Sequence, residues 1–283
     1  MKPLKLIFLL VVACLAGCSS DEETESEAPR MMIVDVTENP MDAPTANSRA
    51  AAVTTTSSLS SFSMNCLGAY KYDFTKTNNV WNTNEWPSGV NNEPIDFYAY
   101  TRGTFYYNDN DDPCVSFTVE SNPTYHHDLL VAEHQNISYS DAAGHVSLRF
   151  DHACAAVRFN VYLSNTLYAQ LKGSLTVTGI QLKNVNNQGN YNYNTHSWSG
   201  VSGSEAYALS NSAINVTTTP QPLSCGYLFM IPQTHLANGT DNVHLEVNYN
   251  NGESKTAVIP LNINWEAGVS YTIDIKLGTS NIK

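Results

Sequence analysis

Charge is scarce in this chain and unbalanced. Asp, Glu, Lys and Arg make up 14% of 283 residues, with 14 Lys and Arg against 26 Asp and Glu, for a formal charge of −12. No basic patch exists to neutralise phosphates, which excludes a nucleic-acid partner. Cysteine is sparse too, at six. Cys66, Cys114, Cys154 and Cys225 are too widely spaced for a zinc site and no CxxC pair occurs. Each lies in or beside an apolar run, where a free thiol packs as a small hydrophobe, so mostly buried thiols are expected; in an exported chain disulfides among the four are the alternative.

Catalytic signatures are also missing. There is no Gly-x-Ser-x-Gly elbow, no His-Glu-x-x-His and no Cys in a recognisable nucleophile setting. The densest imidazole group is His126, His127, His134, His145 and His152, which could hold a metal with Asp128 or Glu133 only if strands converge there. Ordinary turn and strand-end roles are the expectation. The run Asn108-Asp109-Asn110-Asp111-Asp112 resembles the start of a calcium loop, but Pro113 and Cys114 stand where a further ligand and the sharp-turn Gly belong, so a solvated hairpin turn is expected. No metal, no cofactor and no enzymatic activity are expected.

Past residue 17 no long amphipathic helix and no solenoid-length repeat is visible. What is present is period-two alternation. Val146, Leu148 and Phe150 alternate with Ser147, Arg149 and Asp151; Val157, Phe159, Val161 and Leu163 do the same, as do Leu245, Val247 and Tyr249, and Tyr271, Ile273, Ile275 and Leu277. Strands with one apolar and one polar face are what antiparallel sandwiches need, so the folded part is expected to be all-β. Further strands are expected at 62–70, 95–101, 115–119, 175–185 and 223–231. A short helix is expected at 164–171, capped by Ser164 or Asn165 and ended by Gly173, and it places a domain boundary near 165. Tyr and Trp are plentiful; Trp81 and Trp86 in an Asn-rich loop, with the clusters Tyr98, Tyr100, Tyr106, Tyr107 and Tyr191, Tyr193, Trp198, could stack on sugars or fill the core.

The amino-terminal region carries an address. Lys2 and Lys5 precede an apolar run from Leu6 to Leu15, too short to span a bilayer, which ends in Leu15-Ala16-Gly17-Cys18. The last four residues resemble the lipobox of bacterial lipoproteins, which implies removal of residues 1–17 and lipidation of Cys18. Three acyl chains, at about 0.8 kcal/mol per buried CH₂, anchor a protein stably without spanning. The acidic segment Ser19 to Glu27 reads as a tether and is similar to the tag that sends Bacteroides-type lipoproteins to the outer face of the outer membrane.

Several segments together resemble the fimbrillin family, the Mfa-like lipoprotein pilins of Bacteroides-type bacteria. They are Ser48-Arg49-Ala50, Leu59-Ser60-Ser61-Phe62, Ile95-Asp96-Phe97-Tyr98-Ala99-Tyr100 and Asp128-Leu129-Leu130-Val131-Ala132. Val146-Ser147-Leu148-Arg149-Phe150-Asp151-His152-Ala153 follows, then Ala156-Val157-Arg158-Phe159, Leu175 to Ile180, Gly189-x-Tyr191-x-Tyr193, Phe229-Met230-Ile231-Pro232-Gln233 and Trp265-x-x-Gly268-x-x-Tyr271. The resemblance implies two β-sandwich domains in series, of transthyretin-like, Greek-key type, at 50–165 and 166–283, behind a lipidated, propeptide-like segment at 18–49. It implies a surface fimbrial or accessory subunit on the outer membrane whose partners are other subunits and a host or bacterial surface ligand. A surface glycan-binding lipoprotein is the alternative. In the family a trypsin-like protease cuts after an Arg; Arg49 fits better than Arg30, because it follows the expected first strand Met31 to Val36. Release of that strand opens a groove for a neighbour's strand. Family pilins that donate a strand carry a longer apolar extension than the Gly278–Lys283 that follows Leu277, so the resemblance supports an acceptor role and leaves a donor role open.

Overall fold

The computed structural model describes residues 29–42, 59–68, 70–90, 92–210, 212–234 and 243–282. Nearly all the regular structure is β, as the alternation requires. His145–His152 shows the rule: Val146, Leu148 and Phe150 are buried while the residues between them, apart from terminal His152, face solvent.

The first unit is one long sheet rolled around its own apolar face. Its strands run in the order Val80–Trp81, Tyr70–Thr77, Ser61–Cys66, Ile95–Tyr100, Leu130–Ile137, His145–His152, Met31–Glu38 and Asn84–Glu85. Val80–Trp81 pairs at one edge and Asn84–Glu85, three residues on, pairs at the other. That short crossing brings the two edges together around Met32, Phe62, Met64, Phe74, Phe97 and Phe150. Stacked and edge-on rings of Phe62 with Phe74, Trp81 and Phe150 fill its centre.

The second unit is a sandwich. In one layer Ala155–Leu163 pairs in parallel with Ser270–Leu277 and antiparallel with Gln221–Pro222 and Leu228–Met230. The other layer runs Glu205–Ser210, Leu175–Val185, His244–Asn250 and Ser254–Pro260, with Ile214–Val216 also on Leu175–Val185. Val157, Phe159 and Val161 share one apolar core with Val177, Ile180 and Leu182. The helix Asn165–Leu171 is capped by Ser164, whose Oγ accepts from the Leu167 amide, and ends with Lys172 in the left-handed region ahead of Gly173. Leu167 is buried in the second core, so this helix lies inside the second unit. The strand expected over 223–231 is broken: Gly226 takes a φ of +69°, leaving Gln221–Pro222 and Leu228–Met230 on either side of the turn.

A third sheet joins sequence-distant halves. The hairpin Thr104–Tyr107 with Pro113–Thr118 pairs with Gln188–Asn192, which pairs with Ser197–Ser202. Tyr193 seals the join, its Oη donating to the Ala99 carbonyl at 2.8 Å.

Candidate assembly site at the first strand

Met31–Glu38 is the amino-terminal strand of the described chain, and it is laid parallel to His145–His152 with Ile33 opposite His145 and Glu38 opposite Phe150. Its other neighbour, Asn84–Glu85, reaches Met31 and Met32 alone. Met32 and Val34 are buried, as the alternation requires; Val36 follows on the same face, half-buried, whereas Ile33 is 39% exposed rather than partly covered. The strand enters past Gly144, whose φ is +81° and where an added Cβ would stand 2.5 Å from the Met31 carbonyl oxygen. Only glycine lets the strand seat this closely.

The inward face ends on charge. Glu38 Oε1 lies 3.5 Å from His152 Nε2, and His152 Nδ1 is bonded to the Asp128 carboxylate; the His152 and Asp128 side chains are nearly sealed from solvent. Burial acts to lower the His152 pKa, but the bond and charge of Asp128, with the charge of Glu38, outweigh it and lift it above the ordinary imidazole range. Burial raises both carboxyls above their usual range, partly opposed by His152. Next along, the Asn39 amide donates to the Phe150 carbonyl at 2.8 Å, its side chain donates to Asp151, and Arg149 Nε donates to its Oδ1 at 2.5 Å. The segment then crosses to the second unit. Met41 is buried, the Asp42 amide donates to the Gly268 carbonyl at 2.7 Å, and the Ser270 amide donates to the Asp42 carbonyl at 2.9 Å. Beside this crossing lie two adjoining cavities of about 380 and 560 Å³ that share Asn39, Arg149, Asp151, Tyr191 and His196.

Of the residues singled out in the sequence, Cys18 and Arg49 lie outside the described residues. Arg30 is tied down: its carbonyl accepts from the Trp86 amide at 2.7 Å and its guanidinium sits 5.4 Å from the centre of the Tyr139 ring. The imidazoles go separate ways. His145 pairs with Asp35 at 2.8 Å, His134 accepts from the Ser147 amide at 3.0 Å, and His126 is packed edge-on against Tyr207. Among the described residues no group of three or more His, Cys, Asp or Glu could hold a metal ion. In the acidic turn the Asp112 carboxylate accepts from Asn108, Asn192 and Asn194, which holds its pKa below the usual range and pins the turn to the third sheet.

Most rings of the aromatic clusters are core, although Tyr107 is exposed. Trp86 is buried against Phe97 and Tyr139, Trp81 packs on Phe62, and Tyr98, Tyr191 and Tyr193 are buried. Cys66, Cys114 and Cys154 are buried free thiols and Cys225 is half-buried. Burial pushes the Cys66 thiol up to about 12. Sequence reasoning missed Glu38 and Met41 altogether and had Asp128 as a metal-ligand option and as part of a family segment, not as the partner of His152. The one local signal was the acid ending an otherwise apolar inward face.

A family model described as fimbrillin-like matches residues 37–283. The fold is shared with a fimbrial protein from Bacteroides vulgatus, at 17% identity and a TM-score of 0.52, covering 88% of this chain and 95% of that one. It is also shared with a candidate cell adhesion protein from Bacteroides ovatus, at 13% identity and a TM-score of 0.51, covering 90% and 94%. No curated protein matches the chain. A match over most of its length, on an all-β frame of sandwich units, places the chain in the fimbrillin-like family, whose members are structural proteins rather than enzymes.

Proposed function

We propose that this chain is a lipid-anchored, surface-exposed fimbrial subunit or accessory protein of the outer membrane, held by acylated Cys18 and primed by proteolysis after Arg49. In this reading the segment 18–49 leaves with the lipid, and the place of Met31–Glu38 is taken by a strand of a neighbouring subunit. The observation that carries it is the seating of the first strand. It is a full member of the first unit's sheet, yet its covalent link onward to the rest of that unit runs through the segment that contains Arg49. Cleavage after Arg30 would leave the strand in place, and Arg30 is already engaged by Trp86 and Tyr139. The glycan-binding alternative has less support, since Trp86, Tyr98, Tyr100, Tyr191 and Tyr193 of the rings that suggested it are buried, while Tyr107 is exposed.

The deciding experiment identifies the first residue of protein recovered from the cell surface. Free Ala50 supports processing at Arg49, and Arg49→Ala should then abolish both the cleavage and assembly with other subunits. An Arg49→Ala protein of unchanged size that assembles normally sinks the reading. For the anchor, Cys18→Ala should remove labelled fatty acid from the protein; label persisting on the mutant refutes lipidation at Cys18.

A further inference from the structure

We propose that the seat of the first strand selects its occupant by an oxygen-bearing side chain at the fourth inward position. It therefore favours a strand of another subunit with the pattern apolar-x-apolar-x-apolar-x-acid over the C-terminal strand of a second copy of this chain. The inference rests on the strand-replacement reading and adds to it the chemistry of the partner.

Four positions of Met31–Glu38 face inward: Met32, Val34, Val36 and Glu38. The first three meet an apolar surface that includes Val146, Leu148 and Phe150. The fourth meets the ring of His152, which is buried, whose Nδ1 is committed to Asp128, and whose Nε2 makes no hydrogen bond of normal geometry. The groups turned toward that ring are Asp128 from the loop before Leu130–Ile137, Glu38, and the backbone of Asn39. Arg149 and Asp151 engage Asn39 instead, and the nearby Cys154 thiol is held protonated by burial. Any strand can offer backbone where Asn39 does. Only a suitable side chain replaces Glu38.

The chain's own C-terminal strand is the natural comparison because it too lies parallel to its neighbour, Ala155–Leu163. At the same spacing its inward residues are Tyr271, Ile273, Ile275 and Leu277, all buried in its own unit. Moved to the first seat, Leu277 would stand where Glu38 stands, and Tyr271 would have to fit the fully buried place of Met32. Leu in place of Glu38 removes the carboxylate that lies 3.5 Å from His152 Nε2, and breaking a buried ion pair by deleting one partner makes binding weaker by about tenfold or more.

Two measurements test this. In the intact, uncleaved chain, hydrogen exchange of the amides of residues 33–38 is followed at fixed pH for wild type, Glu38→Gln and Glu38→Leu. Exchange should quicken about tenfold or more with Leu and less than about threefold with Gln. Wild-type rates in the Leu variant overturn the proposal. If that variant fails to fold, the double variant Glu38→Leu/His152→Leu decides: recovery of slow exchange supports a Glu38–His152 coupling and continued failure overturns it. Second, the chain is nicked after Arg49 with the fragment retained, and peptides of sequence 31–38, the same with Leu at position 38, and 270–277 compete for the seat. The native peptide should displace the fragment best. Equal displacement by all three overturns the selectivity while leaving strand replacement standing. Displacement by none overturns strand replacement, and the exchange measurement on the intact chain then decides the role of Glu38.

Discussion

Each unit closes with a strand laid parallel to one of two consecutive strands: Met31–Glu38 beside His145–His152, and Ser270–Leu277 beside Ala155–Leu163. The second seam is the deeper one. It pairs residues from Ala156 to Leu163, and Tyr271, Ile273, Ile275 and Leu277 are all buried, whereas the first pairs Ile33 to Glu38 and fully buries only Met32 and Val34. Two fewer buried apolar side chains, at about 1.5–3 kcal/mol each, make a difference of about 3–6 kcal/mol. Side chains stitch both seams, Arg158 to Thr272 at 2.7 Å and Asn160 to Asp274 at 2.8 Å in the second and His145 to Asp35 at 2.8 Å and Arg149 to Asn39 at 2.5 Å in the first, and the Ser164 amide closes the end of the second on the Leu277 carbonyl at 2.8 Å. The first seam ends instead on the ionisable trio of Glu38, His152 and Asp128. A strand held by few apolar contacts and a polar end can be exchanged without dissolving the unit around it; one buried along its length cannot.

The harshest way to break the comparison is a charge placed on each strand. Ile275→Asp buries an unpaired carboxylate and should cost more than about 4 kcal/mol, unfolding the second unit, while Ile33→Asp on the exposed face should stay within about 0.5 kcal/mol. Thermal denaturation followed by circular dichroism reads both, and similar losses would erase the distinction between the seams.

Next in size is Met32→Ala, which should cost about 2–5 kcal/mol by leaving a cavity under the first strand. The loss should appear as faster hydrogen exchange in residues 31–38 with the amides of 270–277 unchanged. Equal acceleration at both seams would mean that the strands share one cooperative unit.

The trio makes the first seam sensitive to pH. His152 has its folded pKa raised above the ordinary value of about 6.5, so its stabilisation is fully present below about 6.5 and is lost as pH rises through the folded value. Glu38 and Asp128 are also raised, and an acid whose folded pKa is raised likewise destabilises the fold as it ionises on rising pH. All three groups push the same way: the first strand should open more readily toward alkaline pH. Its exchange rate, corrected for intrinsic base catalysis, should rise relative to that of Ser270–Leu277, and His152→Gln should flatten the dependence. A constant ratio across pH 5 to 9 would remove the trio as a control of the seat.

The smallest effect is expected at the half-exposed pair of Asp35 and His145, whose atoms lie 2.8 Å apart. Asp35→Asn should change urea stability by about 0–1 kcal/mol, because solvent screens such pairs. A larger loss would show that the outward face of the first strand also holds it in place.

Much of the local structure was legible in the sequence, although turns at Leu67–Gly68 and Gly226 break the strands expected over 62–70 and 223–231. The alternation of Val146, Leu148 and Phe150 and that of Tyr271 to Leu277 became strands with those residues buried, and Ser164 became the cap of a short helix that stops at Lys172 and Gly173. The tyrosines and tryptophans were ambiguous, because period two puts a ring on one face of a strand without saying which faces another layer covers. Trp86 shows the limit: in an Asn-rich loop it looks exposed, yet it is buried between Phe97 and Tyr139.

The amino-acid sequence by itself determined the all-β class, the inward and outward residues of most strands, the helix ends and the family. Each rests on interactions within a few residues or on motifs held in order along the chain. Only the tertiary structure decided that Met31–Glu38 lies parallel to a strand more than a hundred positions later, and that Pro113–Thr118 pairs with Gln188–Asn192. It alone brought Glu38, Asp128 and His152 together. Strand partners are chosen by burying apolar faces across the whole unit, and neither period two nor local propensity records which distant strand supplies the other face.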